Sequence, residues 1–197
     1  EEHAKEMGFT GREPPFFFLK PVNALVVVED GQTGDLPYPS LTQNLHHELE
    51  LVVAIGTGGN HIKAADATKH IYGYAVGLDM TRRDLQNEAK KLGRPWDIGK
   101  GFDHSAPIGP ITRAADAGDI ENAVIYLQVN GQDRQRSETS KLIWNIAESI
   151  EHLSAAWELQ PGDLILSGTP AGVAAVVAGD TLVGGVAGIG TLTVKVS

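Results

Sequence analysis

Apolar side chains crowd both parities of the stretch LELVVAIG (49–56). Successive side chains of a strand point to opposite faces. Leu49, Leu51, Val53 and Ile55 therefore form one face, and Val52 and Ala54 lie on the other. The pattern predicts a strand buried on both sides and ended by TGGN. ALVVVED (24–30) and IYGYAVGLDM (71–80) are read as strands too. Asn130-Gly131 lies between two strand-like runs, which predicts a hairpin over 124–137. QPGDLILSGTPAGV (160–173) reads as a strand and tight loop, and residues 179–196 as closing strands bent at glycines. GQTGDLPYP (31–39) reads as a loop.

Helical spacing is rarer. TRRDLQNEAKKLG (81–93) has Thr81 as its expected cap, Asp84 as a capping-box partner and Gly93 as a stop, with Leu85, Ala89 and Leu92 recurring on one face. SKLIWNIAESIEHLSAA (140–156) is predicted as the longest helix, with Leu142, Ile146, Ile150 and Leu153 as its buried stripe. ADATKH (65–70) is read as a short helix, and EEHAKEMG (1–8) as one or two turns closed by Gly8. GREPPFFFLKP (11–21) is an extended connector, because Pro14, Pro15 and Pro21 forbid a helix. Many short strands, two clear helices and 23 glycines point to a β-rich α+β fold and away from a doubly wound α/β sheet.

With 197 residues the chain has enough length for one domain with a substantial core. A net charge of −9 argues against nucleic acid or an anionic membrane as the main partner, since both select basic patches. The absence of cysteine excludes disulfides, thiolate catalysis and cysteine-based zinc sites. It fits a reducing compartment, and a cytoplasmic protein is expected. No apolar run approaches the ~20 residues that span a bilayer. The chain begins at Glu1 without a methionine or a signal-like segment, so it is expected to be part of a longer protein with residues missing upstream.

The picture changes at Glu48 and Glu50. They continue the face of Val52 and Ala54, so two like charges sit side by side on an otherwise apolar surface. Adjacent buried carboxylates repel and demand a positive partner. Asp79, at the end of the 71–80 strand, is the candidate third member. Three carboxylates without cysteine form a hard-oxygen set suited to Mg²⁺, Mn²⁺ or Ca²⁺. The plainer alternative is a solvated edge face, and spacing alone does not choose between the two. His46 and His47 precede the pair and are read as packing or supporting residues.

Several stretches occur in an order that carries further meaning: FLKP (18–21), LHHELELVVAIG (45–56), GYAVGLDMTRRDLQ (73–86), GRPWDIGKGFD (93–103), PIGP (107–110), PGDLILSGTPAGV (161–173) and a late G-x-G-T-L-x-V (188–194). Together they resemble the fumarylacetoacetate hydrolase family in its short, single-domain form, with the fumarylpyruvate and acylpyruvate hydrolase branch nearest. The resemblance implies a rolled mixed β-sheet with few helices, a divalent metal (commonly Mg²⁺), a homodimer and a keto-acid substrate. By matching motif it implies that Glu48, Glu50 and Asp79 hold the metal. Arg83 and Gln86 would position substrate, Lys100 would stabilise developing negative charge, and Lys20 and Thr169 would contact substrate oxygens. His3 and Glu6, in an H-x-x-E pattern on a lid helix over 1–8, would form the catalytic dyad. Without the resemblance these residues read as surface charges, a turn hydroxyl and a polar terminus.

The implied reaction is hydrolysis of a C–C bond in a 1,3-diketo acid with release of pyruvate. Oxaloacetate decarboxylation or tautomerisation, or isomerisation of a hydroxymuconate-type diacid, would use the same scaffold. A non-catalytic metal- or ligand-binding domain is the alternative of another class; it would keep the carboxylates but not need His3, Glu6 or Lys100.

Overall fold

The computed structural model describes residues 12–197. Its strands are β1 (Leu25–Val27), β2 (Thr33–Leu36), β3 (Leu45–His46), β4 (Leu49–Ile55), β5 (Ile71–Leu78), β6 (Thr81–Arg82), β7 (Ala106–Ile108), β8 (Thr112–Arg113), β9 (Val124–Val129), β10 (Gln132–Glu138), β11 (Leu164–Leu166), β12 (Ala175–Val176), β13 (Thr181–Val186) and β14 (Gly190–Val196). The α-helices among the described residues are α1 (Arg83–Leu92), α2 (Asp97–Lys100) and α3 (Ile146–Ala156). A short 3-10 helix at Ala64–His70 answers the short helix expected over 65–70.

The strands form a rolled, mixed β architecture. One sheet runs β1-β7-β5-β4-β11, with β8 beside β5; a second runs β10-β9-β13-β14-β2; β12-β3-β6 make a small third. β1 pairs with β7, and β14 with β2, in parallel. The pairs at the centre, β4 with β5 and β9 with β13, are antiparallel.

β4 is buried along its whole length, as its apolar run requires. Leu49, Leu51, Val53 and Ile55 join Leu127, Leu182, Leu192 and Val194 of the second sheet in the main core. Each such side chain, fully buried, contributes roughly 1.5–3 kcal/mol. On the other face Val52 packs with Ala75 and Ile108, flanked by Leu164 and Leu166. Gly77 belongs to that face, opposite Glu50. A Cβ there would stand 2.5 Å from Val52 Cγ2 and 2.8 Å from Ile108 Cδ1, so no larger residue fits without repacking.

The hairpin turns at Asn130-Gly131, both with positive φ (52° and 77°), the conformation that favours Asn-Gly. Four expectations need correction. Residues 33–36 are a strand, not a loop. They pair only with β14 at a sheet edge, with Gly34 and Leu36 turned inward, and such an edge tolerates turn-like composition. The 24–30 run is strand only over Leu25–Val27. The helix over 81–93 starts at Arg83, because Thr81 is held in β6 against His46 of β3 and so cannot cap it. Asp84 instead accepts from Thr42 Oγ1 (2.6 Å) and the backbone N–H groups of Gln43 and Leu85, pinning the loop before β3. Gly93, at φ 62°, does close α1. The long helix begins at Ile146, so Leu142 is outside it. Asn145 and Glu148 form a reciprocal capping box that sets this start.

Candidate active site

The β4–β5 ladder places the carboxylates. Glu50 lies opposite Gly77 and Leu49 opposite Leu78. One step further Asp79 N–H donates to the Glu48 carbonyl at 2.8 Å. Glu48 and Asp79 therefore face each other across the ladder, with Glu50 next along the same face. All three are buried, and one oxygen from each lies within 4.8 Å of the other two. Glu48 and Glu50 therefore share a buried strand face and not a solvated edge.

Three cationic side chains answer the charge. Lys100, the last residue of α2, donates from Nζ to Glu48 Oε2 (2.9 Å), Asp79 Oδ2 (2.6 Å) and Thr81 Oγ1 (2.7 Å). Its ammonium is almost completely buried. Burial works against its charge, but Asp79 and Glu48 outweigh that and hold its pKa above the ordinary value. α2 reaches this spot because Gly99 lets its backbone sit on α1; a Cβ there would be 3.0 Å from the Gln86 backbone nitrogen. Arg83, at the start of α1, pairs with Glu48 Oε1 and donates to Gln86 Oε1 (2.6 Å). Burial would raise the Glu48 pKa, but Lys100 and Arg83 together carry it down to about 2.

Lys20 arrives from the proline-bounded connector. Its Nζ is 2.7 Å from Asp79 Oδ1 and donates to Ser105 Oγ (2.9 Å) and to the carbonyls of Met80, Lys100 and Ser105. Burial lowers its pKa, and Asp79 offsets part of that. Glu50 accepts from the Gly168 N–H at 2.6 Å. Burial, with Asp79 and Glu48 alongside, pushes its pKa up to about 8. The donor set fits a hard divalent cation on two counts: every donor is a carboxylate oxygen, and Glu50, crowded by Asp79 and Glu48, is a raised acid that added positive charge would satisfy.

Lys20, Glu48, Glu50, Asp79, Arg83, Gln86, Lys100 and Thr169 all line one cleft of about 1140 Å³. Phe17, Trp144 and Trp157 also line it. His3 and Glu6 lie outside the described residues. The connector at Arg12 is tied to α3: its guanidinium stacks 3.9 Å above Trp144 and pairs with Glu148 at 2.5 Å. His46 is a supporting residue, with Nε2 3.0 Å from Asn44 Oδ1; burial, then Arg83 and His47, lower its pKa to about 4.

Three participants are not among the expected site residues, although Thr81 is read from the sequence as a helix cap. Thr81 sits between Lys100 and Glu48. Ser105 holds Lys20 and donates to the Lys100 carbonyl. Gln135, in the otherwise polar β10, is buried behind Thr169 and donates to it at 2.8 Å.

Comparison with known proteins adds three relatives and a family. The family model described as "Fumarylacetoacetate (FAA) hydrolase C-terminal" matches residues 1–197. A fumarylpyruvate hydrolase of Ralstonia sp is 48% identical over 184 residues, covering 93% of each chain. The crystal structure of fumarylpyruvate hydrolase from Pseudomonas aeruginosa in complex with Mn²⁺ and pyruvate superposes with a TM-score of 0.95 at 55% identity, over 98% of this chain and 83% of that one. A mitochondrial oxaloacetate tautomerase of Caenorhabditis elegans is 39% identical over 182 residues, covering 92% of this chain and 83% of its own.

Proposed function

Because this chain belongs to the fumarylacetoacetate hydrolase family and is an enzyme of that family, we propose that it hydrolyses an acylpyruvate such as fumarylpyruvate with a divalent cation, Mg²⁺ or Mn²⁺, held by Glu48, Glu50 and Asp79. The observation that carries this reading is the convergence of those three buried carboxylates, interleaved with Lys100, at the floor of a cleft large enough for a small diacid.

When bound, the cation supplies a Lewis acid and a template for the α-keto carboxylate head. The chain's own residues do the rest. Arg83 turns Gln86 Oε1 toward itself, which leaves the amide N–H groups of Gln86 as donors to the substrate. Thr169 meets the oxygens of the head. Lys20 buttresses Asp79 and the 100–105 turn, so its contribution to substrate binding is indirect. His3, oriented by Glu6, takes a proton from water. The hydroxide adds to the distal carbonyl of R–CO–CH₂–CO–COO⁻. The bond between that carbonyl and the CH₂ breaks, and its electron pair stays with the pyruvate fragment as an enolate. Lys100 stabilises the developing charge. Return of the proton from His3 completes pyruvate, and the acyl group leaves as R–COOH, which gives its proton to solvent.

The relative acting on oxaloacetate makes tautomerisation the second reading, since it uses the same enolate chemistry. The test is turnover of fumarylpyruvate, acetylpyruvate and oxaloacetate by one preparation, with Mg²⁺, with Mn²⁺ and with chelator. Acylpyruvate cleavage that disappears with chelator is expected. Turnover of oxaloacetate alone would overturn the hydrolase reading.

A further inference from the structure

The side chain of Gln135 has every hydrogen-bonding position in use, and its partners leave no freedom in how. Oε1 accepts from the Leu49 backbone N–H (3.1 Å) and is 3.0 Å from His47 Nδ1. Nε2 donates to the Pro170 carbonyl (2.8 Å) and is 2.8 Å from Thr169 Oγ1. A backbone N–H can only donate and a carbonyl can only accept, so Leu49 and Pro170 fix which end of the amide is which. It follows that Thr169 Oγ1 is an acceptor in this contact. A threonine hydroxyl has one hydrogen. That hydrogen must point away from Gln135, and Thr169 lines the cleft that holds the carboxylates.

The arrangement is built, not incidental. The register of β10 on β9 shifts between Asp133 and Gln135, and such bulges re-aim side chains. Here the bulge turns Gln135 inward from a strand otherwise polar and largely exposed. Gly172 brings the 168–172 loop against that bulge: its φ is 95°, and a Cβ on it would overlap the Arg134 carbonyl oxygen. The same loop gives the Gly168 N–H to Glu50. Through Gln135 it is fastened to the start of β4, beside Glu48.

We propose that Gln135 is a positioning residue that makes Thr169 a dedicated hydrogen-bond donor to the anionic α-keto carboxylate head of the substrate. This rests on the functional reading above. Gln135→Glu tests the effect and also adds a negative charge, so the uncharged Gln135→Met is measured beside it. Gln135→Glu keeps the shape and the acceptors for Leu49 and His47, but it replaces the Nε2 donor with an oxygen. Thr169 then donates into the protein and is lost to the ligand, while Pro170 faces a repelling oxygen. Losing one hydrogen bond to a charged group weakens binding about 10- to 100-fold.

The experiment measures pyruvate binding to the Mn²⁺-loaded protein by calorimetry, Mn²⁺ binding alone, and KM and kcat for acetylpyruvate. Gln135→Glu is expected to weaken pyruvate about 10-fold or more and to raise KM more than it lowers kcat, with Mn²⁺ affinity not reduced. Thr169→Val should do the same, Thr169→Ser should restore the affinity lost in Thr169→Val, and the double variant Gln135→Met/Thr169→Val should be no worse than Thr169→Val. Gln135→Met removes the donor without adding charge; it frees the Thr169 hydroxyl to rotate, is expected to weaken pyruvate by a smaller factor, and carries the test alone if Gln135→Glu does not fold. A Gln135 variant that binds pyruvate like wild type, or whose effect persists undiminished on the Thr169→Val background, overturns the inference alone. Wild-type protein that neither binds pyruvate nor cleaves acetylpyruvate overturns the functional reading and this inference with it.

Discussion

Replacing Lys20 by methionine removes a buried ammonium while keeping most of its volume. Asp79 Oδ1 loses an ion pair of 2.7 Å, and three carbonyls and the Ser105 hydroxyl lose a donor. Removing one partner of a buried pair costs about 3–5 kcal/mol, because the other charge is left uncompensated. For a chain of this size each kcal/mol moves Tm by roughly 2–4 °C, so metal-free Lys20→Met should melt ~6–20 °C below wild type. Saturating Mn²⁺ changes the sum. A unit charge about 4 Å away at an effective dielectric of ~20 is worth about 4 kcal/mol, comparable to the pair that was lost. The cation therefore supplies the missing countercharge, and removing Lys20 also removes a like charge from its surroundings. The orphaned carbonyls gain nothing from it. The melting deficit should shrink by about half or more with Mn²⁺ but not vanish. Differential scanning calorimetry at matched protein concentration, with Mn²⁺ and with chelator, measures both deficits. An equal deficit in the two conditions would refute the idea that Asp79 shares charge with a bound metal. A metal-free deficit under ~2 °C would refute the buried pair itself.

Other expectations follow from the same geometry. Glu50→Gln keeps an acceptor for the Gly168 N–H but removes one of three crowded carboxylates. Calorimetric titration should show Mn²⁺ affinity falling more than about 100-fold, beyond what supporting residues cost, while the metal-free protein melts higher. Lys100→Met should lower kcat on acylpyruvate by about 10²–10³, the usual loss for one donor to a developing oxyanion, and leave Mn²⁺ binding intact in a direct titration. Asn145→Ala breaks the capping box of α3, and a loss of about 1 kcal/mol should appear as a Tm drop of ~2–4 °C. Glu148→Ala cuts both that box and the Arg12 contact, so proteolysis near Arg12 should be faster than in Asn145→Ala.

Where a local rule had no tertiary competitor, the sequence was readable. Period-two alternation put Glu48 and Glu50 on one face, and Asn130-Gly131 announced its hairpin. Thr81 shows the limit. Its place before a helical pattern suits a cap, yet β3 and Lys100 claim its backbone and hydroxyl. Lys20 and Lys100 were located only through family resemblance, because a lysine's burial depends on carboxylates 59 and 21 residues away from each, at Asp79. Lys20 is bound to Asp79 and the 100–105 turn more closely than a substrate contact would require. Gln135 gave no sign: QDRQRSE reads as a solvated strand, and only a bulge in its pairing with β9 turns that one amide inward. β2 was hidden because an edge strand need satisfy only one neighbour.

The most direct test is a crystal structure of the protein grown with Mn²⁺, using the anomalous signal of the metal. The account predicts one strong peak within about 2.0–2.6 Å of an oxygen from each of Glu48, Glu50 and Asp79. A peak coordinated elsewhere, or none at saturating Mn²⁺ with Lys100 still bridging Glu48 and Asp79, would contradict it.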